Sequence, residues 1–137
     1  MRLLFSFLMI LSLISCEEKP PVRGLAKDVY SPKIIGKWSM EQVKDTDRDV
    51  SQLHNPQKDR WIEFHQNGTF VSDGTPYGKN TGRWKIDASL SELYLDSDAG
   101  QDDDSYWHIR FYQDVMIWKG RKSDFTTRFT INHKRMK

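Results

Sequence analysis

The chain has 137 residues, with Lys+Arg 21 against Asp+Glu 19, a formal net charge of +2 and a single cysteine. That length suits one domain of ordinary size, and the near balance of charge removes any global signal for nucleic acid or acidic lipid. One Cys excludes an internal disulfide framework and any multi-cysteine zinc or iron–sulfur site.

Met1 and Arg2 precede an apolar run over residues 3–14, followed by Ser15 and Cys16. A short positive region before such a run is the architecture of a secretory signal. The run is shorter than the about 20 apolar residues needed to cross a hydrocarbon core. Leu13-Ile14-Ser15-Cys16 resembles the bacterial lipoprotein box, and the only Cys of the chain stands where that box has its cysteine. The resemblance implies a diacylglycerol group on the thiol, cleavage before Cys16 and acylation of the new amine, palmitate being the kind of chain expected. Each acyl chain contributes about 0.8 kcal/mol per buried methylene, and two or more make anchoring stable. Cys16 is therefore expected to be a lipid anchor rather than a nucleophile. Residues 1–15 read as signal peptide, 16–33 as lipidated Cys and tether, and 34–137 as the folded domain. The expected address is the bacterial cell envelope, lipid-anchored at the outer membrane, with its periplasmic and surface faces both open. Glu17-Glu18-Lys19 resembles the surface-export signals of some Bacteroidetes-type lipoproteins, and reads equally well as a solvated tether. Pro20-Pro21 favours an extended, semi-rigid path away from the membrane.

From Ile34 the pattern changes. Trp38 and Met40 share one strand face, opposite Lys37, Ser39 and Glu41, which is the period-2 signature of a half-buried strand. Residues 43–58 are polar and read as a loop with a helical turn. Trp61-Ile62-Glu63-Phe64-His65 resumes strand character, and Asn67-Gly68 predicts a tight turn whose central residues take positive φ. Gly74, Pro76, Gly78 and Gly82 mark a longer loop. Trp84 and Ile86 alternate with polar neighbours, Leu93 and Leu95 form a short strand, and Trp107, Ile109 and Phe111 share a face. Val115-Met116-Ile117-Trp118 is apolar on both faces. Phe125, Thr127, Phe129 and Ile131 line one face of a last strand. Such strands, mostly joined by tight turns, predict an all-β fold: an antiparallel up-and-down meander of about eight strands. Trp38, Trp61, Trp84 and Trp107 recur at a fixed spacing, but their flanks agree too weakly for a tandem repeat.

Gly36-Lys37-Trp38 resembles the Gly-X-Trp signature of lipocalins and of small bacterial lipocalin-like lipoproteins. Phe64-His65-Gln66-Asn67-Gly68-Thr69-Phe70, Gly82-Arg83-Trp84-Lys85-Ile86, Leu93-Tyr94-Leu95 and Val115-Met116-Ile117-Trp118 follow in that family's order. The resemblance spans about residues 34–132 and implies a small closed barrel. It also implies a late arginine packed over Trp38, for which Arg128 is the candidate and Arg121 the runner-up. The domain is shorter than typical secreted lipocalins and lacks their disulfide and their Thr-Asp-Tyr segment. An eight-stranded barrel encloses a ligand or fills itself with side chains. Trp38, Phe64, Phe70, Trp84, Ile86, Trp107, Ile109 and Phe111 are the candidate ligand-lining residues; the same side chains serve equally as core.

Other chemistry is thin. The acidic run over residues 96–104 offers oxygen ligands for Ca²⁺ but departs from the EF-hand spacing, so a solvated loop is the plainer reading. The basic stretch over 119–137 reads as a solvated strand and tail. His54, His65, His108 and His133 match no zinc spacing, and no Gly-X-Ser-X-Gly motif is present. No catalytic residue, metal site, cofactor or nucleic-acid partner is expected. The functional expectation is a membrane-anchored, non-enzymatic lipoprotein binding a small apolar or amphipathic ligand. The alternative is an envelope protein-interaction module with a filled barrel that presents loops 44–60, 72–82 and 96–105.

Overall fold

The computed structural model describes residues 33–87 and 91–137. The signal peptide, Cys16 and almost all of the tether lie outside the described residues. Among the described residues nine strands follow one another: β1 (Gly36–Asp45), β2 (Arg48–Asp49), β3 (Trp61–Phe64), β4 (Thr69–Asp73), β5 (Asn80–Asp87), β6 (Glu92–Ser97), β7 (Ser105–Tyr112), β8 (Val115–Arg121) and β9 (Phe129–Arg135). One short helix, α1 (Ser51–His54), sits between β2 and β3.

All pairings are antiparallel: β1 pairs with β3, each later strand pairs with the next, and β1 also pairs with β9, which closes eight strands into a barrel with β2 as a two-residue spur on β1. Closure depends on the length of β1. Its first residues, Gly36 to Ser39, pair with β3, while Trp38 to Asp45 pair with β9. A bulge between Met40 and Gln42 resets the alternation, so that Trp38, Met40 and Val43 all face inward. An extra residue of this kind increases local twist and bends the strand, as closure of a small barrel requires. Where β1 and β3 part, the Met40 N–H donates to the Arg60 carbonyl at 2.9 Å. The buried Asn55 amide donates to the Met40 carbonyl at 2.8 Å, and its oxygen accepts the Arg60 N–H at 3.1 Å. One side chain thus bridges the gap in the wall.

The alternation read from sequence is the alternation of burial. Ile62, Phe64, Phe70, Trp84, Ile86, Leu93, Leu95, Trp107 and Ile109 are all buried. In β8 the pattern is sharper than the sequence suggests, since Met116, Trp118 and Gly120 point inward while Val115 and Ile117 are half-buried outside. The Asn67-Gly68 turn differs in detail: only Gly68 has positive φ, and Asn67 instead accepts the Thr69 N–H at 3.0 Å and the Thr69 hydroxyl at 2.7 Å. The region expected to be loop after Val43 carries the end of β1, the spur β2 and the helical turn α1.

The last strand is a correction. Phe125 is exposed and residues 126–128 form a 3₁₀ turn, so β9 begins at Phe129 and runs through His133 to Arg135. The tryptophan spacing is no repeat: Trp61 lies on the second barrel strand and is only half-buried, unlike the buried Trp38, Trp84 and Trp107.

Around Trp38 the chain shuts one end of the barrel. The Trp38 indole N–H donates to the Ile34 carbonyl at 2.8 Å, and a guanidinium lies over its ring at 4.2 Å. That guanidinium belongs to Arg135, not to Arg128 or Arg121. Arg128 pairs with Asp45 and Arg121 with Glu92. Arg135 also donates to the carbonyls of Ile35, at 2.8 Å, and Lys33. Gly36, at φ +118°, leaves room for it, because a Cβ there would stand 3.0 Å from Arg135 Nη1.

Candidate ligand-binding site

The loops after β1, β4, β6 and β8 gather at the end of the barrel opposite Trp38, and there the barrel is open. A cavity of about 570 Å³ enters between Val43, His54, Tyr77, Asp103, Phe125 and Phe129, among other residues. Arg60, Ser72, Asn80, Asp103, Trp107 and Ile131 line both this cavity and an inner pocket of about 170 Å³ beneath it. The inner pocket reaches Phe70, Leu95, Trp118 and His133.

Of the candidate lining residues, Phe70 and Trp107 stand on these walls. Trp38, Phe64, Trp84, Ile86, Ile109 and Phe111 pack in or against the core instead. Phe64 meets Trp84 edge to face at 5.8 Å, and Trp38 meets Phe111 at 6.0 Å. They fill the closed half of the barrel, so side-chain filling and an internal space occur in one molecule.

Two residues missed by sequence reasoning dominate the polar character of the interior. Arg60 is held by Asn55 through its backbone, donates from Nη1 to the His54 carbonyl at 3.0 Å, and lays its guanidinium over Tyr77 at 4.6 Å. Among the described residues it forms no ion pair. Burial draws its pKa below the ordinary arginine value, partly offset by Tyr77 and Asp59. His133 is fully buried in β9 and packs on Trp118 at 4.3 Å. Desolvation first, and the Arg60 charge second, push its pKa down to about 3, so it is neutral at physiological pH.

The inner pocket also holds two of the three buried side-chain polar atoms that have no partner among the described residues, the third being Glu92 Oε2. Trp38, Trp84 and Trp107 each donate their indole N–H to a protein acceptor, at 2.8 Å, 3.1 Å and 2.8 Å. Trp118 Nε1 and His133 Nδ1 have no partner among the described residues. Buried donors and acceptors are nearly always paired, because an unmet group costs about 1–3 kcal/mol. Both atoms belong to residues that wall the same small pocket. No simple signal marked them: His133 lies beyond the last apolar residue of its strand, and Arg60 lies in a polar stretch before β3.

The acidic run is used structurally. Asp104 accepts the Ser97 N–H at 2.8 Å and the Tyr94 hydroxyl at 3.1 Å, and Asp98 accepts the Thr81 hydroxyl at 2.6 Å. Among the described residues no group of three or more His, Cys, Asp or Glu is placed to hold a metal ion. Nor is any described helix long and apolar enough to cross a membrane.

No family model and no curated protein matches the chain. Among solved structures, the chain is similar to a DUF4847 family protein from Bacteroides vulgatus ATCC 8482. The two share 12% identity at a TM-score of 0.54, over 81% of this chain and 97% of that one. The likeness is one of fold. It places this eight-stranded antiparallel barrel beside a crystallographically determined one.

Proposed function

We propose that the protein is a lipoprotein of the bacterial envelope, anchored through Cys16, whose lipocalin-like barrel binds a small apolar or amphipathic molecule without catalysis. The observation that carries this reading is the cavity of about 570 Å³ that continues into the barrel interior. Ligand sites of small molecules are concave, about 300–1,000 Å³, mostly apolar and furnished with a few polar groups. This cavity has that size and that make-up.

A protein-interaction role draws support from the rim, where Tyr77 and Phe125 are 61% and 67% exposed and Leu53, beside His54 on α1, is 71% exposed. A partner docked on the rim would leave the inner pocket and its unmet polar atoms unexplained, so ligand binding is the better account.

Uptake of the neutral fluorophore N-phenyl-1-naphthylamine tests it. The protein should bind it at one site, and Ser72→Trp, which fills the throat between cavity and pocket, should weaken binding by about tenfold. Unchanged binding by a folded Ser72→Trp variant would move the probe to the outer surface and remove the carrier role.

A further inference from the structure

Resting on the reading of the barrel as a carrier, we propose that its ligand is a ring-sized organic monocarboxylate: the carboxylate sits on Arg60, the ring in the inner pocket, and a hydroxyl at the far side of the ring meets Trp118 and His133.

The guanidinium of Arg60 stands where the outer cavity meets the inner pocket. It carries five N–H donors in a planar fork, and the protein uses one of them, toward the His54 carbonyl. Asp59 and Tyr77 offset its burial only in part, and a charge drawn out of water without a counter-charge in direct contact is costly. An entering carboxylate supplies that counter-charge and matches the fork with two parallel hydrogen bonds. Asp73 and Asp103 also line the outer cavity, beside Lys79, and Asp103 lines the inner pocket as well. Asp73 accepts the Gly74 N–H at 2.7 Å. Two carboxylates near one guanidinium and one ammonium disfavour a doubly charged anion such as a phosphate monoester, and leave room for a single negative charge.

The size of the inner pocket sets the body of the ligand. At about 170 Å³ it is close to the roughly 150 Å³ of an apolar cavity that accepts benzene. Phe70, Leu95 and Trp107 give it apolar walls. Its polar lining includes Ser72, Asn80, Asp103 and Ser105, and Trp118 and His133 add the unmet Nε1 and Nδ1. An indole N–H only donates, and a neutral imidazole nitrogen donates or accepts according to tautomer. A hydroxyl accepts from the first and pairs with the second in either tautomer, which a purely hydrocarbon ring cannot do.

Calorimetric titration of the full-length protein in phosphatidylcholine nanodiscs provides the test. The probes are 4-hydroxyphenylacetate and its homologue one methylene longer, with phenylacetate, 2-(4-hydroxyphenyl)ethanol and decanoate for comparison. At least one hydroxyphenyl acid should bind, and the neutral alcohol and phenylacetate should each bind at least about tenfold more weakly. Arg60→Gln should erase the preference for acid over alcohol, Arg60→Lys should retain part of it, and His133→Phe should erase the preference for the hydroxyl. Equal affinity for acid and alcohol would overturn the carboxylate assignment, and equal affinity for phenylacetate would overturn the hydroxyl assignment. Binding of decanoate alone would overturn the ring. If none of these binds while N-phenyl-1-naphthylamine does, the proposal fails and the carrier role stands; if neither binds, both fail.

Discussion

At the scale of single residues, Gly36, Trp38 and Arg135 act as one unit. The Gly-X-Trp signature was readable, and it carried the expectation of an arginine over Trp38. Which arginine was not readable, because Arg128 and Arg135 stand just before and at the end of the last strand, and only where β9 begins and how it pairs with β1 separates them. Arg135→Ala removes a cation–π contact and two carbonyl contacts, and should cost about 2–3 kcal/mol in chemical denaturation. Asp45→Asn weakens the Arg128 pair, whose arginine is more than half exposed, and a 3.5 Å contact from the Thr46 hydroxyl, and should cost about 1 kcal/mol or less. Equal losses would deny the special place of Arg135. His133 makes a second prediction. Its pKa is held near 3 in the fold, against about 6.5 unfolded. Above pH 6.5 both states are neutral. As pH falls from 6.5 toward 3 the unfolded chain takes a proton that the native state refuses, so stability drops, by at most about 1.4 kcal/mol per unit. His54 is shifted in the same direction, by burial and then by Arg60, and acts in the same sense. Thermal midpoints at pH 7, 5.5 and 4.5 should therefore fall less steeply in His133→Phe than in the wild type. Parallel curves would mean that His133 is not held neutral.

At the scale of elements, alternation did most of the work. β5, β6 and β7 carry inward Trp, Ile and Leu at every second position, and so their faces were legible residue by residue. Two features were not. The bulge in β1 changes which parity faces the core, and a strict period of two cannot show an added residue. The start of β9 was misplaced because Phe125 and Thr127 continue the parity of Phe129 and Ile131, although they lie in the preceding loop and 3₁₀ turn. The inward histidine was missed for a related reason: a polar residue at a core position breaks the apolar pattern that reveals the strand. Closure itself rests on β9, whose Thr130 stands between Lys44 of β1 and Lys119 of β8. Its N–H points toward one of these strands, both of which are paired, so a proline here removes a ladder bond and sets its ring between β1 and β8. Thr130→Pro should cost about 3 kcal/mol or more and lower hydrogen-exchange protection in β1 and β8 together. Loss confined to one neighbour would show that the barrel does not close cooperatively through this strand.

At the scale of the molecule, one end is shut by aromatic packing and the other opens into a cavity, and this asymmetry is what the composition alone concealed. The aromatic stripes were visible in the sequence; that they divide between a filled half and a lined half depends on where the loops converge. The anchor lies outside the described residues and has its own test. If Cys16 carries lipid, Cys16→Ala should move the protein from the membrane fraction to the soluble fraction, and a membrane-bound variant would remove the lipoprotein reading. The central claim is that the open half of the barrel holds a small molecule, and native mass spectrometry of the protein isolated from a bacterial envelope tests it most directly. The expected spectrum shows a discrete added mass at one per barrel that organic solvent strips and that Ser72→Trp reduces. A clean apo mass that also stays unchanged after incubation with carboxylic acids and lipids would contradict the account, and leave the exposed rim of Leu53, Tyr77 and Phe125 as the working surface.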